Sequence, residues 1–278
     1  MRERVLVLAA AAIEHRVLSR AGVHGVWVRE TEAAEAVRQI AQFEHENRGA
    51  ARPAPAPAGA RGFGWGAALL HAAILCFFHL FTIRPVDGPF VRHRGEAAAR
   101  NILDGEWWRT VTALFLHADL VHLAGNVGFG GLFIGWLAHW IGAGSTFAVL
   151  ILGGALGNFS TALVTDLEHR SIGASTAVFA AIGALAALAW RRRRRLGESR
   201  GRRWAPLFLG AFFVYFLGSE GVRTDLVAHA CGFLSGILLG FALDLGGLAR
   251  TPARPAVQQI GAGAGALVVA AAWLLALR

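Results

Sequence analysis

Hydroxyls, three imidazoles and a carboxamide stand in three short polar stretches that interrupt otherwise apolar sequence: HADLVHLAGN at 117–126, GASTAVFA at 173–180 and AHACGFLSG at 228–236. Polar groups at membrane depth are costly and mark function where they occur. Ser175 offers a nucleophile and His229 a general base. His122 and Asn126, four residues apart on one helical face, offer side-chain donors for a developing oxyanion. Taken alone, that pair would serve as well as an interhelical hydrogen-bonding couple. A serine and a second histidine at the same level turn the reading to catalysis. Ser175 also stands at a helix start, because Gly173 and the segment 165–172 break the preceding apolar pattern. Unpaired backbone N–H groups and the positive dipole end then face whatever the hydroxyl attacks, a partial oxyanion hole suited to acyl transfer.

The elements that must position these groups follow from composition. With 55% hydrophobic residues, 16% charged residues, 35 glycines and a mean hydropathy of +0.48, the chain reads as a membrane protein. Apolar runs predict seven helices, at 65–83, 120–141, 146–164, 175–190, 204–217, 226–243 and 260–277, the fourth and fifth short. The net charge of +9 comes entirely from arginine and calls for no nucleic acid; the expected surroundings are a lipid bilayer. Cys76 and Cys231 lie in apolar runs and read as buried packing residues rather than a disulfide or metal pair.

Arginines gather at 191–203 and at 250 and 254, so the loops after the fourth and sixth spans are expected to be cytoplasmic. The N-terminus is then cytoplasmic, the C-terminus outside, and all three polar stretches share the outer side. From Ser175 to Arg191 is about 24 Å of helix, and from His229 to Asp244 about 22 Å. Both fall short of the roughly 30 Å hydrocarbon thickness, which puts the two side chains below the outer surface at nearly equal depth. Gly232, Gly236 and Gly240 repeat every four residues on the sixth span and let its backbone approach the fourth, where Ala177, Ala181 and Ala184 form one of several small-residue faces.

Residues 1–49 differ in kind, with an apolar run at 5–13, an extended stretch at 23–28 and a helical pattern at 30–47 that suit a small cytoplasmic α+β domain. Arg2 and Arg4 before a small-residue run also fit a signal peptide, but the run ends in Glu14, His15 and Arg16. Residues 50–62 read as a Pro- and Ala-rich linker. The remaining divisions are a six-helix core at 63–245 and a loop with a seventh helix at 246–278.

The chain resembles the rhomboid intramembrane serine proteases. The motif H-x-x-x-x-H-L-x-x-N appears as His117, His122, Leu123 and Asn126; G-A-S as Gly173, Ala174 and Ser175; and A-H-x-x-G-x-x-x-G as Ala228, His229, Gly232 and Gly236. Trp108 and Arg109 in the long first outer loop resemble the family's Trp-Arg element. The resemblance implies an all-α polytopic bundle of six transmembrane helices plus a seventh, in the inner membrane, acting on the transmembrane segments of other proteins. It implies Ser175 as nucleophile, His229 as base without an aspartate, and His122, Asn126 and Ser175 around the oxyanion. Gly173, Ala174, Thr176 and Phe179 would border the substrate, with Trp107 and Trp108 at interfacial depth. No cofactor is implied. Thr176 departs from the glycine usual after the nucleophile and Phe179 from the tyrosine usual one turn on. A relative that holds transmembrane clients without cutting them is the other reading. No H-E-x-x-H motif or pair of intramembrane aspartates supports another protease class. His71, His79 and His139 read as packing or interfacial residues, and His169 as solvated.

Overall fold

The computed structural model describes residues 2–20, 23–47, 62–218, 225–248 and 254–278. The chain divides into two compact units, Met1–Pro53 and Ala54–Arg278. In the first, α1 (Arg2–Ala10) and α2 (Ala33–Glu46) accompany an antiparallel hairpin of β1 (His15–Arg20) and β2 (Val23–Val28). Leu8, Ile13 and Ala36 form its small core. The helical pattern read from residue 30 begins as a single 3-10 turn, Glu30–Glu32, before α2 takes over. The linker reading falls on residues outside the described ones, apart from residue 62.

The second unit is a helical bundle. Its long helices are α3 (Trp65–Thr82), α7 (Leu120–Ile141), α8 (Ala143–Val164), α9 (Ser175–Arg195), α10 (Arg200–Gly218), α11 (Leu226–Leu245) and α12 (Pro255–Ala276), with short helices α4 (Gly88–Gly95), α5 (Ala99–Leu103) and α6 (Arg109–Thr112) between the first two. Among the described residues, α3, α7, α8, α11 and α12 are long and apolar enough to cross a membrane. The other two reach full length by running on into arginine: α9 through Arg195, and α10 from Arg200. The apolar windows alone made both look short.

α9 is the central helix, packed on α7, α8, α10 and α11. Seven of the sixteen residues from Ser175 to Trp190 are alanine, so neighbours come close on several sides. A Cβ added at Gly232, Gly236 or Gly240 would lie 2.3, 2.0 or 2.8 Å from the carbonyl oxygens of Thr176, Ala180 and Ala184. Gly183 reciprocates, its Cβ position falling 2.1 Å from the Phe233 oxygen. The glycine stripe therefore meets the Thr176, Ala180 and Ala184 row. Of the alanines read as its partner face, Ala184 belongs to that row, while Ala177 packs beside Gly154 of α8. The expected close approach of the two helices is present on a face one residue round.

Residues 84–119 are folded rather than a simple loop. Arg109, only 4% exposed, donates from Nε to Glu106 at 2.5 Å and from Nη1 to the His93 and Glu96 carbonyls at 2.8 and 3.1 Å. Burial raises the Glu106 carboxyl, but hydrogen bonds from Arg109 and Asn101 outweigh it and hold the group below its usual range. Thr112 Oγ1 adds a 2.7 Å bond to the Gly95 carbonyl. A two-residue pairing of β3 (Ala97–Ala98) with β4 (Arg170–Ser171) ties this subdomain to the approach to α9. Cys76 is exposed on α3 rather than buried, and Cys231 is partly covered; both are free thiols.

Candidate active site

The turn before α9 is fixed from outside the helix. Gly173 adopts φ +136°, a conformation that L side chains rarely take, and its N–H donates to the Ala113 carbonyl at 2.9 Å. The next N–H, from Ala174, points to His117 Nε2 at 3.5 Å. Burial, reinforced by the neighbouring histidines His122, His79 and His71, pushes His117 down to about 3, so its ring is neutral and the nitrogen is free to accept. A Cβ at Gly173 would stand 2.7 Å from His122 Nε2 and 3.6 Å from Ser175 Oγ. Glycine here satisfies the backbone and lets the His122 ring come up beside the serine.

α7 begins at Asp119, whose carboxylate accepts the His122 N–H at 2.9 Å and fixes where that ring leaves the helix. The His122 ring lies edge-on to His117, centroids 5.1 Å apart. One turn on, the buried Asn126 donates from Nδ2 to the His122 carbonyl at 3.0 Å. A carboxamide nitrogen carries two hydrogens, so one remains for another acceptor.

α11 opens in the same way, Asp225 accepting the Ala228 N–H at 2.9 Å. The His229 ring lies over Phe179, one turn beyond Ser175, with centroids 4.4 Å apart and planes 30° from parallel. Among the described residues, His229 Nδ1 is buried without a hydrogen-bond partner. The other oxygen of Asp225 is engaged by His169 Nε2 at 2.8 Å.

These groups share a cavity of about 1010 Å³, lined among others by His122, Asn126, Ser175, Phe179 and His229. Of the other residues anticipated at the substrate, Gly173 and Ala174 build the turn. Thr176 is 2% exposed, and Cβ positions at Gly157 and Gly232 fall 2.5 and 3.1 Å from its Cγ2. Its methyl therefore fills the junction of α8, α9 and α11. Trp107 is half exposed beside a partly buried Trp108.

Three histidines named in the sequence take roles there that the sequence reading did not give them. His117 holds the turn. His169, read as solvated, pairs with Asp225 and lines the cavity. His71 reaches the Asn126 carbonyl. Only His117 carried a signal, its place inside the first polar stretch. The His169 contact depends on which loop meets which helix cap, and the His71 contact on how α3 packs against α7. Among the described residues no group of three or more His, Cys, Asp or Glu side chains is placed to hold a metal ion.

The bundle and its cavity define a polytopic membrane protein with a serine, two histidines and an asparagine at one end of its central helices. The Rhomboid domain family model matches residues 104–244, about half of the chain. Curated relatives include YdcA of Bacillus subtilis (strain 168), 29% identical over 50% of this chain and 69% of its own length. Rhomboid-like proteases 3 and 2 of Toxoplasma gondii are 34% and 32% identical over 52% and 51% of this chain. The matched region spans only 55% and 48% of those two proteins. The chain belongs to the rhomboid family of intramembrane proteases.

Proposed function

We propose that the chain is a serine endopeptidase that cuts transmembrane segments of other membrane proteins near their outer edge. One observation carries this reading: Ser175, His229, His122 and Asn126, drawn from three separate helices, line a single cavity. Ser175 Oγ attacks the substrate carbonyl carbon while its proton passes to His229 Nε2. The negative charge that forms on the carbonyl oxygen is met by the Ser175 N–H at the start of α9, by the free Asn126 amide hydrogen and by His122. Collapse expels the amine, which takes the proton from His229, and leaves an ester on Ser175. Water, deprotonated by the same imidazole, then releases the acid. With the Asp225 carboxylate engaged by Ala228 and His169, the histidine works without an aspartate partner. The Thr176 methyl packs into the junction of α8, α9 and α11.

The protein is proposed to sit in the cell inner membrane with its N-terminus cytoplasmic and its C-terminus outside, because its arginines cluster at the ends of α9 and α10 remote from the site. The decisive experiment is reaction of the purified, detergent-solubilised protein with a serine-directed fluorophosphonate, followed by mapping of the adduct, together with cleavage assays of Ser175→Ala and His229→Ala. Labelling at Ser175 and loss of cleavage in both variants are expected. Cleavage retained by either variant removes the assignment.

A further inference from the structure

We infer that His71 is a positioning residue for Asn126: its imidazole, reaching across from α3, holds the α7 backbone at the turn that carries the amide. The inference rests on the active-site reading above and extends it to a residue outside the cavity. His71 Nε2 lies 3.3 Å from the Asn126 carbonyl oxygen. A carbonyl only accepts, so Nε2 carries the ring proton and donates. The contact is accommodated by sequence on both sides. A Cβ at Gly130, one turn further along α7, would stand 2.7 Å from His71 Nε2 and 3.0 Å from Val178 Cγ2 of α9. Glycine at this position opens the gap that the ring occupies between α7 and the helix bearing the nucleophile.

The ring has few polar alternatives. His71 otherwise borders an apolar cavity with Leu75, Ile134, Ala174 and Ala177, on the flank of the turn that carries Ser175. An imidazole in such surroundings is costly unless it is paired, and the Asn126 carbonyl supplies the pairing. Two donors therefore bond to successive turns of α7: the Asn126 amide to the His122 carbonyl, and His71 to the Asn126 carbonyl. The first aims the amide and the second fixes the backbone from which it projects. An oxyanion donor displaced by a fraction of an ångström loses much of its effect, because preorganisation is what makes it useful.

The test is a set of kinetic measurements on the full chain in proteoliposomes with a model transmembrane substrate. His71→Leu is expected to lower kcat about tenfold with KM unchanged, as loss of alignment of one donor among several would. His71→Gln, whose amide N–H can reach the same carbonyl, should restore most of the loss. Gly130→Ala, which pushes the ring away without altering its chemistry, should mimic His71→Leu. In an Asn126→Ala background His71→Leu should cost less than about twofold, since the group it positions is gone. Unchanged kcat in His71→Leu, equal losses in the Leu and Gln variants, or costs that multiply in the Asn126→Ala background would each overturn the proposal. A readout free of turnover separates this from failure of the protease assignment. In Ser175→Ala, ¹⁵N-histidine spectra should show His71 with a slowly exchanging proton on Nε2. A proton on Nδ1 alone, or rapid exchange, excludes the contact whether or not the protein is a protease.

Discussion

Arg191 donates from Nε to the buried carboxylate of Asp244 at 2.6 Å, and Arg195 binds the same carboxylate. The pair pins α9 to α11 at the end opposite the site. Ser175 lies about 24 Å back along α9 and His229 about 22 Å back along α11, so the ion cluster ties together the far ends of the two helices that carry them. Asp244→Asn should therefore act at a distance. Asp244 is 2% exposed but its arginines are partly solvated, so the expected loss is about 2 kcal/mol, below the range for a fully buried pair. Turnover should fall severalfold. Thermal unfolding in detergent and a cleavage assay read both effects, and an unchanged melting curve would show that the cluster is ornamental.

The glycine stripe on α11 makes a sharper test of the same geometry. A Cβ at Gly236 would sit 2.0 Å from the Ala180 carbonyl oxygen, a clash with backbone that no rotamer relieves. Gly236→Ala should force the helices apart, destabilise the protein by about 3 kcal/mol and abolish cleavage. Gly240→Ala, with 2.8 Å to the Ala184 oxygen, should be milder on both counts. Equal effects from the two would mean that distance to the opposing carbonyl is not what matters.

Much of this was legible before any coordinates. Polar residues in apolar runs cannot hide, and helix rise converts spacing into an expected depth, so the sequence could group Ser175 and His229, which line one cavity in the fold. The face on which α9 meets α11 was less legible, because a helix this rich in alanine offers small residues on every side and only the crossing geometry selects Thr176, Ala180 and Ala184. The His169 to Asp225 pair was illegible for another reason. It joins a loop to a helix cap 56 residues away, and no periodicity links them.

Thr176 stands directly after the nucleophile, where a β-branched side chain can crowd either the substrate's backbone or the close contact between α9 and α11. In the fold its methyl fills a buried junction against Gly157 and Gly232. Thr176→Gly should thus remove packing and add backbone freedom in the first turn of α9, costing about 2 kcal/mol with no gain in kcat. A rise in turnover would restore the crowding argument.

Asn126 bonds to the His122 carbonyl with one amide hydrogen and keeps the other. As one donor of several, its loss should be partial. Asn126→Ala is expected to lower kcat by about 10²-fold or less, with KM little changed. Asn126→Asp, which keeps the shape and replaces donors by a carboxylate, should be at least as impaired. Wild-type kcat in either variant would exclude the amide from the oxyanion site.

His117 predicts how stability depends on pH. Its pKa falls from the usual 6.5 in the unfolded chain to about 3 in the fold, chiefly through burial. Between those values the unfolded chain holds a proton that the folded protein does not, so stability falls as pH drops from about 6.5 towards 3 and is unaffected by this group above that window. The same ring accepts from the Ala174 N–H, so its protonation would remove an anchor of the turn before Ser175. His117→Gln keeps an acceptor and removes the titration. Unfolding midpoints measured in detergent should decline less steeply with acid in His117→Gln than in the parent. Parallel declines would mean that His117 is not buried in the neutral form, and the account of how the turn is held would go with it.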